Sequence, residues 1–160
     1  MFVDFDKMAR DSRVWLYQSD RDLTAEEQNY ILEQTEKFLN TWVAHGTNLN
    51  SSVKIFYKRF LVILVDEKFA SVSGCSIDSS VRFVKALETE LNVNFFDRTK
   101  VAFLDDGNVF LESLNKIKNR ISEGIISGDT LTFNNLIKNK AELEESWMVP
   151  ASETWLSKYL

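Results

Sequence analysis

The sequence predicts an α+β fold, and three observations predict it. RVWLYQ at 13–18 suits a strand, FLVILV at 60–65 is apolar without interruption, and two longer segments carry apolar residues at helical spacing. The order strand, helix, strand, short strand, helix, strand matches a split βαβ unit, a ferredoxin-like variant. The expectation is one globular two-layer domain over residues 1–160. It would have a mixed central sheet of about four or five strands, helices on one face and a C-terminal helical, aromatic segment. Without the short strand, the same order becomes an α/β βαβαβ unit with an added hairpin.

The elements follow from residue types. RVWLYQ is apolar on both alternating faces, as a buried strand is. Thr24 and Glu27 have capping-box spacing, and Ile31, Leu32, Thr35, Phe38, Leu39 and Trp42 form a stripe of period 3.6, so the first helix starts after Thr24. Gly46 suits its left-handed exit and leaves His45 at the helix end. Residues 53–65 hold no turn former, so they read as one strand at the centre of the sheet. Asp66, Glu67 and Lys68 can turn the chain into a short strand at 70–73. Ile77, Val81, Val84, Leu87 and Leu91 set a second helix at about 77–91, with Ser76 or Asp78 near its cap and Asn92 at its exit.

Farther along, apolar residues at 101–104 and 109–111 flank Asp106-Gly107, a pair that takes the positive φ angles of a type I′ hairpin turn. Leu114, Ile117 and Ile121 share a helix face that ends at Gly124, and a turn at 127–129 precedes a strand at Leu131–Phe133. A short helix is expected at 140–147. Pro150 separates it from a terminal piece bearing Trp155, Leu156 and Tyr159.

Composition excludes whole classes of function. The 24 acidic and 19 basic residues give a net charge of −5, spread evenly along the chain. Duplex binding needs clustered cations, and Lys116, Lys118 and Arg120 lie two apart in a helical segment, where side chains diverge. Nucleic acid is disfavoured as a partner. No stretch approaches the ~20 apolar residues of a membrane span, and the start lacks a cationic, apolar leader, so membrane insertion and export are not expected. One cysteine and one histidine build neither a disulfide framework nor a structural zinc site, which suits a reducing, cytoplasmic location. None of the five glycines precedes a lysine, and no two are separated by one residue. Walker and dinucleotide loops are therefore absent, and no cofactor is assigned. Asp66, Glu67 and Asp78 are hard-cation donors in type, but nothing in their spacing fixes a set of ligands, so no metal is assigned.

RVWLYQSDRDLT at 13–24, WVAHG at 42–46, SGCSIDSSV at 73–81 with Phe83, and FNNL at 133–136 resemble a family of small uncharacterised bacterial proteins that often carry the label ABC transporter ATPase. The resemblance covers most of the chain. The label is at odds with the missing Walker loop and the missing LSGGQ-like signature, so the resemblance implies no activity and no site residues.

The most specific local feature is Ser73-Gly74-Cys75-Ser76-Ile77-Asp78, where a loop with glycine runs into a helix. Unpaired N–H groups at such a start favour a small anion or a thiolate. Ser73, Gly74, Ser76 and Asp78 are the candidate ligand-binding residues, with Cys75 and His45 as the candidate catalytic pair of a thiol-dependent enzyme. The same residues equally suit ordinary capping and packing. The other class of function is a non-enzymatic interaction module, a homodimer being one form of it, that uses the aromatic C-terminal segment.

Overall fold

The computed structural model describes residues 1–160, and the α+β class holds. The strands are β1 (Arg13–Gln18), β2 (Val43–Ala44), β3 (Thr47–Asn48), β4 (Asn50–Phe56), β5 (Phe60–Asp66), β6 (Lys100–Asp105), β7 (Asn108–Ser113), β8 (Leu131–Phe133) and β9 (Met148–Pro150). The α-helices are α1 (Ala25–Thr41), α2 (Gly74–Leu91), α3 (Ile117–Ser122) and α4 (Lys140–Glu145). The chain divides into two compact units, Met1–Phe96 with Lys138–Ala141, and Asp97–Ile137 with Glu142–Leu160. No helix is long and apolar enough to cross a membrane.

In the first unit the sheet has the order β1-β5-β4, and β5 is buried from Phe60 to Val65, as its unbroken apolar run requires. Leu61, Ile63 and Val65 point to one face, where Ile31 and Leu39 of α1 and Val84 and Leu87 of α2 close the core over them. Both helices therefore lie on one face, as the sequence suggests. Against β4, Phe5 of the 3-10 helix Phe5–Lys7 meets Phe56 edge-on, with ring centroids 5.9 Å apart.

The expected mixed sheet is replaced by antiparallel pairing between all the named strands. The cause lies at Tyr57 and Lys58, whose φ angles of 54° and 59° are left-handed without any glycine. The Arg59 N–H donates to the Phe56 carbonyl at 3.0 Å, and residues 53–65, expected as one strand, fold into the β4–β5 hairpin. Tertiary hydrogen bonds hold this turn, since the Lys58 carbonyl accepts from the Leu23 N–H at 2.7 Å and the Arg59 carbonyl from the Ser19 N–H at 2.8 Å. The α/β alternative needs parallel neighbours around β5 and finds none.

Three further expectations are corrected. Residues 70–73 form no strand, because carboxylates take the backbone donors a ladder would use: Asp66 Oδ1 accepts the Lys68 N–H at 2.9 Å and Glu67 Oε1 the Val72 N–H at 3.1 Å. α1 stops at Thr41, since Trp42 turns extended and its indole N–H donates to the Ser76 carbonyl at 2.9 Å. His45 (φ 52°) and Gly46 (φ 75°) then form the turn of the β2–β3 hairpin rather than a helix end. α2 starts at Gly74, capped by Ser73 and not by Ser76 or Asp78.

Residues 138–141 complete the first unit. The Val14 N–H donates to the Lys138 carbonyl at 3.0 Å, Asn139 bridges Arg13, and the buried Lys140 ammonium donates to the Met8 and Asp6 carbonyls at 2.9 and 3.3 Å. In the second unit the antiparallel order is β7-β6-β8-β9. The expected hairpin forms around Asp106 (φ 49°) and Gly107 (φ 78°). Phe103, Ile117, Ile126, Ala151 and Leu156 make this unit's core, so the C-terminal segment belongs to the fold. β9 was not legible in the sequence, α4 ends at Glu145 rather than Trp147, and the third helix is split into a 3-10 turn at Leu114–Lys116 and α3.

Candidate functional site

The start of α2 is built from serines. The Ser73 hydroxyl accepts the Ser76 N–H at 3.1 Å, the Ser76 hydroxyl accepts the Ser73 N–H at 2.7 Å, and Ser76 Oγ donates to the Ser73 carbonyl at 2.8 Å. This reciprocal cap directs both hydroxyls at the chain itself. Gly74, Cys75 and Asp78 are exposed in the first turn, and a Cβ on Gly74 would meet nothing within 4 Å. Ser76 is buried, with its carbonyl engaged by Trp42. Through that bond the β2–β3 hairpin, which carries the exposed His45, follows directly from a residue pinned to the start of α2. No hydrogen bond joins His45 to Cys75, and no group of three metal-ligating side chains assembles around Asp66, Glu67 and Asp78 or elsewhere.

A second constellation escaped the sequence reading. Ser19-Asp20-Arg21-Asp22-Leu23 follows β1 and fastens three other elements together. Arg21 donates to Glu27 at the start of α1 and to the Leu91 carbonyl at the end of α2, and Asp20 and Asn94 exchange bonds of 3.0 Å. Asp22 holds the buried Arg59 guanidinium at 2.7 Å beside the left-handed turn. The Arg21 guanidinium, followed by the Thr24 backbone N–H, lowers the Glu27 carboxyl to about 2. Helix and turn signals are local, whereas the bonds to Arg59, Leu91 and Asn94 span 37, 70 and 74 positions in sequence. The loop could be foreseen only as polar.

The third constellation lies in the second unit. Leu156 is fully buried and fixes the 3-10 helix Trp155–Tyr159, which leaves Trp155 48% exposed. The Trp155 and Tyr159 rings meet edge-on at 6.2 Å. Lys158 lies 4.9 Å from the Tyr159 centroid and 5.7 Å from that of Trp155, and Lys118 lies 5.6 Å from Tyr159. Beside them Leu114, Asn115, Ile117, Lys118 and Tyr159 line a hollow of about 190 Å³. Leu114 at its rim is 48% exposed, and neither lysine forms an ion pair.

No family model, curated protein or solved structure matches the chain.

Proposed function

We propose that the protein is a non-enzymatic interaction module, whose contact surface is the aromatic, lysine-flanked hollow of the second unit. The observation that carries this reading is the half-exposed Trp155, held in place by a buried neighbour and set beside Tyr159, Lys118 and Lys158. Rigid aromatic side chains are the commonest energetic anchors of protein contacts. A hollow of about 190 Å³ falls below the ~300–1,000 Å³ of small-molecule sites and suits one side chain of a partner. Two unpaired lysines in a chain of net charge −5 favour a partner segment in which an apolar residue is flanked by carboxylates. The test is an NMR titration with a short peptide carrying leucine between glutamates, against the same peptide with lysines. Shifts confined to Leu114, Lys118, Trp155 and Tyr159 with the acidic peptide alone support the reading. Equal responses to both peptides, or none, reject it.

A second reading places a small-anion site or a reactive thiol at Gly74-Cys75-Ser76, with His45 and Asp78 nearby in role. Its support is the exposure of Cys75 in the first turn of α2. The self-directed hydroxyls of Ser73 and Ser76 leave it only backbone N–H groups, and for that reason it ranks second. An unpaired exposed cysteine fits a reducing, cytoplasmic setting.

A further inference from the structure

The residues that line the hollow of the second unit offer two kinds of wall. Leu114 and Ile117 are aliphatic, whereas Tyr159 presents a ring, Lys118 an ammonium and Asn115 an amide. Three of these are held from behind. The Leu114 N–H donates to the Thr99 carbonyl at 3.0 Å and fixes the 3-10 turn. Ile117 belongs to the core that Phe103, Ile126, Ala151 and Leu156 complete, and the Tyr159 side chain packs against that same core. The apolar and aromatic walls are therefore set before an occupant arrives.

Size narrows what the hollow takes. A closed cavity of ~150 Å³ holds one benzene molecule, so about 190 Å³ admits a phenyl ring together with its methylene. A leucine side chain is smaller and leaves part of the wall without partner atoms, which forfeits dispersion there. Wall chemistry narrows it further. Lys118 and Tyr159 line the same small hollow, so a ring seated against Tyr159 is also within reach of the Lys118 ammonium, which itself lies 5.6 Å from the Tyr159 centroid. An aliphatic side chain gains neither the ring pair nor the cation–π attraction. The carboxylates of Glu112 and Glu123, which flank α3 in sequence, are both taken by Arg120, at 3.1 and 3.0 Å, and engage neither Lys118 nor Lys158.

Resting on the contact surface proposed above, we infer that the occupant of the hollow is a phenylalanine ring of the partner, seated against Tyr159 and Lys118, with a carboxylate next to it in the partner's sequence. The ring supplies the apolar filling that Leu114 and Ile117 require and the π face that Tyr159 and Lys118 reward. The adjacent carboxylate meets Lys158, whose ammonium stands 4.9 Å from the Tyr159 centroid and 5.7 Å from that of Trp155. Trp155 lies outside the lining and so borders the ring's neighbours rather than the ring. A cyclohexyl side chain has a similar outline and a larger apolar surface but no π face, so it separates ring chemistry from filling alone.

The test is an NMR titration of the whole chain with three capped tripeptides, glutamate-X-glutamate, in which X is phenylalanine, cyclohexylalanine or leucine. Phenylalanine should bind about tenfold tighter than leucine and about fivefold tighter than cyclohexylalanine. Its ring current should also move the methyl signals of Leu114 and Ile117 by more than either aliphatic peptide does. Lys118→Met keeps the length of an exposed side chain and removes its ammonium, so the fold should persist. This variant should weaken all three peptides and reduce the preference for phenylalanine over cyclohexylalanine to about twofold. Lys116→Met, outside the lining, should keep the full ratio. Equal affinity for phenylalanine and cyclohexylalanine, or an undiminished ratio in Lys118→Met, overturns the aromatic assignment and leaves the contact surface standing. Tighter binding of leucine does the same. Binding of none of the three peptides overturns both.

Discussion

Arg21 holds Glu27 in a bidentate grip, Nη1 to Oε1 at 2.9 Å and Nη2 to Oε2 at 2.7 Å, while Glu27 Oε1 also accepts the Thr24 N–H at 2.9 Å. One carboxylate thereby completes the cap of α1 and, through the same guanidinium, ties it to the last carbonyl of α2.

This arrangement predicts an acid-sensitive contribution to stability. The Glu27 carboxyl lies at about 2 in the folded chain against an ordinary 4.5. Its stabilisation is therefore fully present above 4.5 and disappears as pH falls through 2. Because Arg21 is 41% exposed, the contribution is discounted to about 1 kcal/mol. Glu27→Gln should lower the urea midpoint at neutral pH and match the parent near pH 2. A difference that persists unchanged in acid would contradict this.

At the β4–β5 turn, Tyr57 and Lys58 occupy a region that disfavours L side chains by about 1–2 kcal/mol each. Lys58→Gly should therefore stabilise the chain by roughly 1 kcal/mol, since the carbonyl that accepts the Leu23 N–H is retained. Lys54→Gly, within β4, should have the opposite sign. Urea titrations of the two variants check the contrast.

Neighbouring C-terminal residues should respond very differently to truncation. Leu156→Ala empties a fully buried position and should cost about 2–4 kcal/mol. Trp155→Ala removes a half-exposed ring and should cost less than about 1 kcal/mol. Equal losses in thermal unfolding would mean that Trp155 serves the fold rather than a partner.

Cys75 should be alkylated to completion in the native protein at neutral pH without denaturant, because it is exposed. Sulfate should slow the reaction if the backbone N–H groups of the first turn hold an anion. Protection until unfolding would remove the thiol reading altogether.

The features legible in the sequence were those with local causes. The Thr24–Glu27 cap, the Asp106-Gly107 hairpin and the run at Phe60–Val65 are each encoded within a few residues. Tyr57-Lys58 carries none of the residues that mark a turn, and its conformation is held by Ser19 and Leu23, more than thirty positions away. Missing it turned a hairpin into one strand and an antiparallel sheet into a mixed one. The end of α1 was misread for a similar reason, as Trp42 leaves the helix to reach Ser76. At the start of α2, hydroxyls that suggested a ligand bind each other, which spacing alone does not distinguish. No cluster of Gly, Pro or Ser marks the boundary near Phe96, so the two units carry no compositional signature.

The return of Lys138–Ala141 to the first unit bears on the order of events during synthesis. A ribosome that has released residues 1–96 has delivered the β1-β5-β4 sheet and both of its long helices, but not the residues that meet β1 or the ammonium that gathers the carbonyls of Asp6 and Met8. The nascent first unit must wait, with that edge uncovered, while about forty further residues emerge, which takes seconds at ordinary elongation rates of ~5–20 residues per second. A pause anywhere between residues 97 and 141 would lengthen the time for which the backbone groups on that side of β1 lack their partners.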